Sequence, residues 1–483
     1  MSFSLHDEKM NRKIRSAEAR ASADPRRPVF HFHAPAQWMN DPNGTIYFQG
    51  YYHVFYQFNP FGDSWDHLHW GHAMSRDLLH WEYLPIALYP EASIHEEHCF
   101  SGCATLDRDG HPMLFYTSVP FDVDNNPHMQ RAAVGDQDML NWTRLEKAVL
   151  TVHSPPGTPR IKNDWRDPYI YRKGSTYYLV LSAVRDDDTP VVLLYTNTCG
   201  DLTRWDYRTV LKSFPKGGQL FECPNFFQMQ GAWILIGSPF EPVQYFTGSF
   251  DEEQLIFIPM KQGLIDHSSE FYASNTVLRP ADDVYLLAWI RAFPKGRGWN
   301  GCLALPRALR LSDRGGLLQT PVPELKKLRG AHYGLGDCTV EPHGLRFQST
   351  AIRNCEILLR ADLTLASKLD LSAVVKGTSL SLISLEASLF HVQSTPVQCK
   401  GLPPDSMRQV DIRLFIDRSV LEVFIDAGRL CVSHMVESLY MTDALELRWN
   451  NSVHLLGFDV WEMQPLTYSV HPSLVQQTHV PST

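Results

Sequence analysis

The sequence contains no run of 18 or more apolar residues, so it offers no candidate for a membrane-spanning helix. Its nine cysteines form no CxxC pair and no His/Cys spacing typical of zinc, which predicts reduced, mostly buried thiols. The N-terminal 27 residues lack the apolar segment of a secretory signal, which predicts a cytoplasmic location. A formal net charge of −9 argues against nucleic acid or an anionic membrane as the main partner.

Long runs of helical periodicity are also scarce, and short strand-like runs take their place. After a charged, partly helical arm over residues 1–27, aromatic and β-branched runs alternate with Gly, Pro, Asn and Asp. This pattern predicts an all-β fold, and a length of 483 residues predicts two domains. The predicted helical part of the arm is 8–21, and the predicted strands are 48–58, 99–105, 113–118, 176–184, 191–196, 232–237, 254–259 and 285–291.

A D-x-x-x-W pattern occurs three times, at residues 77–81, 138–142 and 201–205. Each copy follows two or three predicted strands, so the copies indicate repeated blades of a propeller-like domain over 28–325. Residues 326–337 are predicted to be a linker. From 338 to 483 the apolar residues alternate with period two, most clearly over 412–425, which predicts a second domain that is a β-sandwich.

The segment WMNDPNG, residues 38–44, places Asp41 between Asn40 and Asn43. Pro42 and Gly44 favour a tight turn, because proline presets φ and glycine tolerates a positive φ. A carboxylate presented on a turn between aromatic-rich strands suits a sugar-binding site. The alternative is that this segment is an ordinary loop.

Two further acids are candidates, because glycosidic bond cleavage needs one ionised and one protonated carboxyl group. Glu222 lies among aromatic residues in FECPNFF, 221–227, and apolar surroundings raise the pKa of a carboxyl group. An alternative for Glu222 is an edge-strand position facing water. Asp167 follows Arg166 in WRDP, 165–168, and arginine suits paired hydrogen bonds to a carboxylate or to hydroxyls.

WMNDPNG followed by YHVFYQFNP at 52–60 resembles the opening signature of glycoside hydrolase family 32, the invertases, inulinases and levanases. The ECPN and RDP motifs are similar to further motifs of the family. The stretch DIRLFIDRSVLEVFIDAG at 411–428 resembles its C-terminal domain. The resemblance thus covers nearly the whole chain after residue 28. It implies a five-bladed β-propeller followed by a C-terminal β-sandwich.

The resemblance also implies a role for each acid. Asp41 would be the nucleophile, Glu222 the acid and then the base, and Asp167 the stabiliser of the transition state. The carboxyl groups of such a retaining pair lie about 5–5.5 Å apart. No cofactor and no metal are implied. The expected substrate-binding residues are Asn40, Gln57, Trp65, Phe100, Ser101, Arg166 and Cys223.

Several segments depart from the family pattern. They are SIHEEHC at 93–99, Cys103, Trp165 and the acidic run RDDD at 185–188. Such loops lie near the rim in the family, so the departures leave the cleavage chemistry unchanged and leave the leaving-group preference open. His95 and His98 are expected to be solvated or hydrogen-bonded residues rather than metal ligands.

The predicted function is a retaining β-fructofuranosidase acting on sucrose or short fructo-oligosaccharides. Fructosyl transfer needs the same three acids, and an unusual fructoside such as a difructose anhydride or an inulin fragment is a third option. A catalytically silent fructoside-binding protein is the alternative of another class, although all three acids are present. Arabinan-cleaving propellers share a three-acid layout but lack the paired WMNDPNG and ECPN motifs. The sandwich is expected to be structural or to form a homodimer contact.

Overall fold

The computed structural model describes residues 5–152, 157–364, 367–386, 389–398 and 409–475. Residues 1–4 of the predicted arm and 476–483 of the predicted sandwich therefore lie outside the described residues. No helix in the described ranges is long and apolar enough to cross a membrane. The helices there are α1 (Leu5–Ala23) and α2 (Pro472–Val475), with 3₁₀ turns at Ala92–Ile94, Pro280–Asp282, Pro323–Leu328, Leu335–Asp337, Thr350–Arg353 and Glu437–Met441.

Strands make up the rest of the regular structure. Up to residue 321 they are β1 (Gln37–Phe48), β2 (Tyr51–Asn59), β3 (His69–Ser75), β4 (His80–Leu88), β5 (Glu96–Leu106), β6 (Pro112–Pro120), β7 (Met129–Gly135), β8 (Trp142–Arg144), β9 (Ile161–Lys173), β10 (Thr176–Arg185), β11 (Pro190–Asn197), β12 (Asp206–Ser213), β13 (Glu222–Met229), β14 (Ala232–Ser238), β15 (Gln244–Asp251), β16 (Ile256–Leu264), β17 (Phe271–Arg279), β18 (Asp283–Ile290), β19 (Trp299–Asn300), β20 (Cys302–Leu303), β21 (Arg307–Leu311) and β22 (Leu317–Pro321). After it they are β23 (Arg329–Tyr333), β24 (Thr339–Glu341), β25 (Gly344–Gln348), β26 (Asn354–Leu363), β27 (Lys368–Val375), β28 (Thr378–Glu386), β29 (Leu389–Val392), β30 (Thr395–Gln398), β31 (Gln409–Asp417), β32 (Val420–Ile425), β33 (Leu430–Met435), β34 (Thr442–Trp449), β35 (Val453–Met463) and β36 (Thr467–Val470).

The first 22 strands form five sheets, which are the blades of a propeller, and their pairings are antiparallel except that the short β19 runs parallel to β1. The sheets run outward as β1–β4, β5–β8, β9–β12, β13–β16, and β17, β18, β21 and β22. The innermost strands β1, β5, β9, β13 and β17 contact one another in that order, and β17 contacts β1. The ring is therefore closed, and the predicted five-bladed propeller is confirmed.

Every innermost strand has a register irregularity opposite its hairpin partner. The shifts fall between residues 39 and 42 of β1, 100 and 102 of β5, 166 and 169 of β9, 222 and 225 of β13, and 272 and 275 of β17. A bulge places extra residues on one strand and re-aims their side chains. The prediction that residues 38–44 form a turn between strands is wrong in this respect, because Asp41 lies within a bulged strand.

The D-x-x-x-W copies occupy equivalent positions, namely the turns before the outermost strands β4, β8 and β12. Trp81 and Trp205 donate their indole N–H groups to carbonyls inside these turns, at 3.0 and 2.9 Å. In the second blade the capping acid is Asp136, which accepts the Leu140 N–H at 2.8 Å. The repeat is thus real, but Asp138 is not its acidic member.

Residues after the propeller form two sheets packed face to face. One sheet has the order β23, β35, β26, β31, β32, β33, and the other the order β24, β25, β34, β27, β28, β29, β30. Apolar side chains from both sheets share one buried cluster, which includes Leu345, Ile357, Leu371, Leu414 and Leu445. This is the predicted β-sandwich.

Two predicted segments differ from the observed elements, and a third, the helical arm, is helical as predicted and packs against the propeller. The predicted linker 326–337 contains β23, which pairs with β35 inside the sandwich sheet. Residues 467–470 form β36, which runs parallel to β4 on the outer edge of the first blade. Helix α1 buries Ala17 and Ala21 in the same apolar cluster as Phe293 and Trp299 of the propeller. The boundaries at 27, 325 and 337 stay predictions.

A buried ionic cluster joins the two domains. His31 lies before β1, and its Nδ1 and Nε2 contact Asp417 at 2.7 Å and Glu422 at 3.1 Å. Arg307 of the propeller contacts Asp266 at 2.9 Å and Glu422 at 2.8 Å. All five side chains are almost completely buried.

The charge state of His31 follows from its two carboxylate partners. Burial lowers its pKa, but the hydrogen bonds to Asp417 and Glu422 outweigh burial and raise the pKa to about 9. Burial raises the pKa of Glu422, but Arg307 and His31 outweigh it and lower that pKa to about 2. His31 is therefore an imidazolium that donates a hydrogen bond from each ring nitrogen.

Replacing His31 should loosen the contact between the domains. His31→Gln removes the cation and leaves buried carboxylates underpaired, so we expect a loss of about 3 kcal/mol in the free energy of unfolding at pH 7. A group whose pKa is raised on folding stabilises the fold below its unfolded pKa, and this contribution is lost as pH rises through about 9. Urea unfolding at several pH values should show the difference from wild type shrinking above pH 9.

His80→Gln is the matched control. His80 contacts Asp77 at 2.8 Å but is 68% exposed, so its removal should change stability only slightly. Equal losses for the two variants would contradict the role given to the buried cluster.

Candidate active site

Three acidic side chains come together at the bulges of three innermost strands. Asp41 is on β1, Asp167 on β9 and Glu222 on β13. Each carboxyl group interacts electrostatically with Arg166, and Asp167 and Glu222 also interact with Asp41. Asp167 is 4% exposed, and the side chain of Glu222 is 14% exposed. The structure therefore brings the three predicted acids into one partly open centre.

Asp41 is held by neighbours from three strands. Its Oδ2 accepts a hydrogen bond from Ser101 Oγ at 2.5 Å, and its Oδ1 accepts one from Asn40 Nδ2 at 2.9 Å. Gln57 contacts Asn40 at 2.7 Å and Ser101 at 2.6 Å, so it fixes both donors. Trp38 donates to Asn40 at 2.7 Å. The orientation of the Asp41 carboxylate is thus set before any ligand binds.

Glu222 is hydrogen-bonded at both carboxyl oxygens. Its Oε1 accepts from Arg166 Nε at 3.0 Å and from Arg166 Nη2 at 2.6 Å. Its Oε2 accepts the hydroxyl hydrogen of Tyr272 at 2.5 Å. Arg166 also contacts Asp164. Arg166 therefore links Glu222 in the acidic centre to Asp164 nearer the surface.

Asp167 has an unusual backbone that aims its side chain inward. Its φ is 66°, in the left-handed region, and the Thr117 hydroxyl accepts its backbone N–H at 3.0 Å. Its Oδ2 accepts the backbone N–H of Cys223 at 2.9 Å. Cys223 also has a positive φ of 48°. Left-handed backbone is disfavoured for residues with a side chain, so the surrounding structure must hold these two bulges in place.

Burial raises the pKa of all three acids. Hydrogen bonds from Ser101 and Asn40 oppose the increase at Asp41, and Arg166 opposes it at Glu222. The pKa of Asp167 rises to about 7 despite the nearby arginine. Neighbouring carboxylates repel one another, and Arg166 donates two hydrogen bonds to one of them, Glu222. We therefore expect the group to retain a proton near neutral pH, shared among coupled sites.

Cys223 touches two of the acids, as expected for a site residue, but it is buried. Its Sγ lies 3.9 Å from Asp41 Oδ2 and 3.7 Å from Asp167 Oδ2. Burial raises the pKa of this thiol well above its usual value, and the acids raise it further. Cys223 is thus a neutral thiol that fills space behind the two carboxylates.

Trp65 and Phe100 lie at the mouth of the centre. Trp65 is 48% exposed, and its ring centroid is 5.0 Å from that of His98 and 6.1 Å from that of Phe100. Both rings and Arg166 line a cleft of about 770 Å³ that opens beside the acids. An exposed indole at such a mouth is a suitable surface for stacking a sugar ring.

Sequence reasoning missed two residues that act on the acids. Tyr272 borders the bulge of β17 and donates to Glu222, and Thr117 of β6 accepts from the backbone of Asp167. Neither residue stands next to an acid in the sequence. The packing of two consecutive blades brings β17 to β13, so no local pattern could have identified Tyr272.

A five-bladed propeller with interacting carboxyl groups in a central opening has the kind of carboxyl pair that a carboxylate-dependent glycoside hydrolase requires. The model of the glycosyl hydrolases family 32 N-terminal domain matches residues 31–321, and that of the family 32 C-terminal domain matches residues 372–462. The chain therefore belongs to glycoside hydrolase family 32.

Relatives cover most of the chain. Sucrose-6-phosphate hydrolase of Escherichia coli is 30% identical over 437 residues, which are 85% of this chain and 89% of that protein. Raffinose invertase of E. coli is 30% identical over 444 residues, with the same shares. Among solved structures, a family 32 beta-fructofuranosidase from Bombyx mori is 27% identical with a TM-score of 0.78, covering 96% of this chain and 99% of that chain. Fructan 1-exohydrolase IIa from Cichorium intybus, 23% identical with a TM-score of 0.81, covers 93% and 99% and shares the fold.

The Tyr272 hydroxyl should set the upper pH limit of activity. Tyr272→Phe removes a hydrogen bond to the Glu222 carboxylate, which raises the pKa of Glu222 because the ionised form loses support. An acid that must be protonated then works to higher pH. We expect the alkaline limb of the profile of kcat/KM against pH to move upward, as measured by fructose release.

Tyr285→Phe is the matched control for this change. The Tyr285 hydroxyl also lies near a carboxylate, 3.4 Å from Glu324, but that pair is away from the three acids. Its profile should match that of wild type. An alkaline limb that stays in place in Tyr272→Phe would show that Glu222 does not set this limit.

Proposed function

We propose that the protein is a retaining β-fructofuranosidase that hydrolyses the terminal β-D-fructofuranosyl bond of sucrose or short fructo-oligosaccharides. The observation that carries the proposal is the meeting of Asp41, Asp167 and Glu222 at the bulges of three innermost strands. The names of the relatives support the substrate, since they include sucrose-6-phosphate hydrolase, raffinose invertase and levanase. A Bombyx mori relative, 26% identical, is described in complex with sucrose.

In the first step Asp41 attacks the anomeric carbon of the fructosyl unit. One carboxylate oxygen forms a bond to this carbon as the bond to the leaving oxygen breaks, and Glu222 gives its proton to that oxygen. Asn40 and Ser101 donate to Asp41 and so fix the direction of attack. The products are a fructosyl–Asp41 ester and the free leaving sugar.

In the second step water replaces Asp41. Glu222, now ionised, takes a proton from the water, whose oxygen bonds to the anomeric carbon as the ester bond breaks. Arg166 and Tyr272 hold the Glu222 carboxylate ready for this role. Two displacements return the anomeric configuration to its starting form, which makes the enzyme retaining.

Asp167 supports both steps without forming a bond to the anomeric carbon. Positive charge develops on the fructosyl ring in each transition state. A carboxyl group that accepts hydrogen bonds from the ring hydroxyls stabilises this charge. The Cys223 N–H fixes one oxygen of Asp167 at 2.9 Å, so the other remains for the substrate.

Fructosyl transfer is the main alternative, because an acceptor sugar can take the place of water after the same first step. Hydrolysis of a difructose anhydride or an inulin fragment would use the same acids. A silent fructoside-binding protein would bind sugar without turnover. A cytoplasmic location and a homodimer formed through the sandwich remain parts of the proposal.

Glu222→Gln tests the mechanism directly. The amide keeps the size of the side chain but cannot give up a proton, so fructose release from sucrose should fall about 10³-fold, within the usual range for a lost general acid. Asp41→Asn should reduce fructose release at least as much, because this change removes the nucleophile. Fructose release is measured with sucrose, inulin oligomers, levan and difructose anhydrides as substrates. NMR of the fructose that forms first identifies its anomer and so shows whether the configuration is retained.

Glu252→Gln serves as the control, because Glu252 pairs with Lys173 on the outside of the propeller. It should release fructose as wild type does. Turnover that survives in Glu222→Gln would contradict the assigned acid, and no release from any substrate by folded wild type would leave a binding protein.

A further inference from the structure

Three of the residues that line the cleft beside the three acids lie in segments in which this chain departs from the family pattern. Glu97 and His98 come from residues 93–99, and Asp186 comes from the acidic run 185–188. The rest comes from the mouth residues and the segments before β7 and along β9.

This cleft borders Glu222 through the Arg166 side chain. Arg166 lines the cleft and donates to Glu222 at 2.6 Å, so the acid and the cleft share one side chain. The acid must reach the leaving oxygen, and the leaving sugar must therefore extend past Arg166. At about 770 Å³ the cleft has the size of a typical small-molecule site.

The charges that line the cleft are mostly negative. Four carboxylates, Glu97, Asp124, Asp164 and Asp186, face two cations. Both cations are already engaged, because Lys162 pairs with Asp188, and Arg166 pairs with Asp164 and Glu222. Sites for phosphate groups instead present arginine or lysine whose donors are available to the anion.

The two histidines of the cleft add no positive charge near neutral pH. Burial lowers the pKa of His98 to about 4, despite the nearby Asp66. Burial also lowers the pKa of His128, although Asp164 partly opposes it. The excess of negative charge therefore persists at the pH where such enzymes are assayed.

We propose that this cleft selects a neutral leaving group and rejects a phosphorylated one, which makes sucrose a better substrate than sucrose 6-phosphate. The inference rests on the proposed function and narrows it. The phosphate of sucrose 6-phosphate is on the glucosyl half, which is the leaving group, and it carries a charge of about −1.5 to −2 at pH 7. In the cleft this charge faces carboxylates, with no unengaged cation among the lining residues to offset them. Relatives of this chain are named sucrose-6-phosphate hydrolases, so the proposal separates it from them.

The test compares kcat/KM for sucrose and for sucrose 6-phosphate at pH 7 and low ionic strength, with the full chain and with released fructose as the readout. Sucrose should be favoured by at least about tenfold, which is the effect expected from like charges a few ångströms apart at a protein surface. Added salt should narrow the ratio, because it screens exposed charges.

The variant Asp124→Asn/Asp186→Asn tests whether the cleft causes the preference. Both carboxylates are exposed, so their loss should leave the fold intact. We expect the ratio of kcat/KM for sucrose to kcat/KM for sucrose 6-phosphate to fall about fivefold. Asp109→Asn is the control, since Asp109 is exposed in the turn between β5 and β6 and does not line the cleft. Its ratio should equal that of wild type.

The outcomes separate the two proposals. Equal or better use of sucrose 6-phosphate by wild type would overturn the inference while leaving the glycosidase intact. A preference for sucrose that the double variant shares with the control would also overturn it, because the cleft carboxylates would not be its cause. Turnover of neither sugar nor any other fructoside would remove the proposed function, and the inference with it.

Discussion

The arrangement of the site depends on one constraint, which is that each innermost strand is bulged where it faces the central opening. A regular strand would send alternate side chains to the two faces of its blade. The bulges at Asp41, Asp167 and Glu222 instead turn the acids toward the axis, and the bulges at Ser101 and Tyr272 bring their hydrogen-bond partners. The arrangement of the three acids is therefore a property of the ring rather than of any one loop.

The bulges are costly in backbone conformation. Asp167, Cys223 and Ala273 all have positive φ values, of 66°, 48° and 49°. At Gly102 an added Cβ would lie 2.0 Å from the Phe115 carbonyl oxygen, so only glycine fits this bulge of β5. Such strained positions persist where the surrounding packing holds them, and here that packing comes from neighbouring blades. The buried cluster around His31 extends this support to the sandwich.

Much of the fold and the main acids could be predicted from the sequence. Strand propensity and spaced D-x-x-x-W turns depend on local chemistry, so they indicated blades, and motif resemblance gave Asp41, Asp167 and Glu222. The predicted strand at 254–259 overlaps β16 only from Ile256 onward. Asp251 accepts the N–H groups of residues 253 and 254, and the resulting turn delays the start of the strand. Tyr272 could not be found, since its contact with Glu222 spans 50 residues.

The sequence also did not show that residues 467–470 pair with the first blade. Period-two alternation identified sandwich strands, but it could not show that β36 would leave the sandwich and join β4. A parallel edge pairing between segments nearly 400 residues apart has no local signature. For the same reason, the linker prediction at 326–337 overlooked β23, which pairs with a strand at the far end of the chain.

The pairing of β36 with β4 has a consequence for biosynthesis. The first blade is the first to leave the ribosome, yet its outer edge is completed by residues 467–470 and its inner edge by residues 299–300. Until then β4 presents unpaired backbone groups, which are a template for pairing with other chains. The nascent protein thus carries an exposed strand edge on its first blade until residues 467–470 have been made.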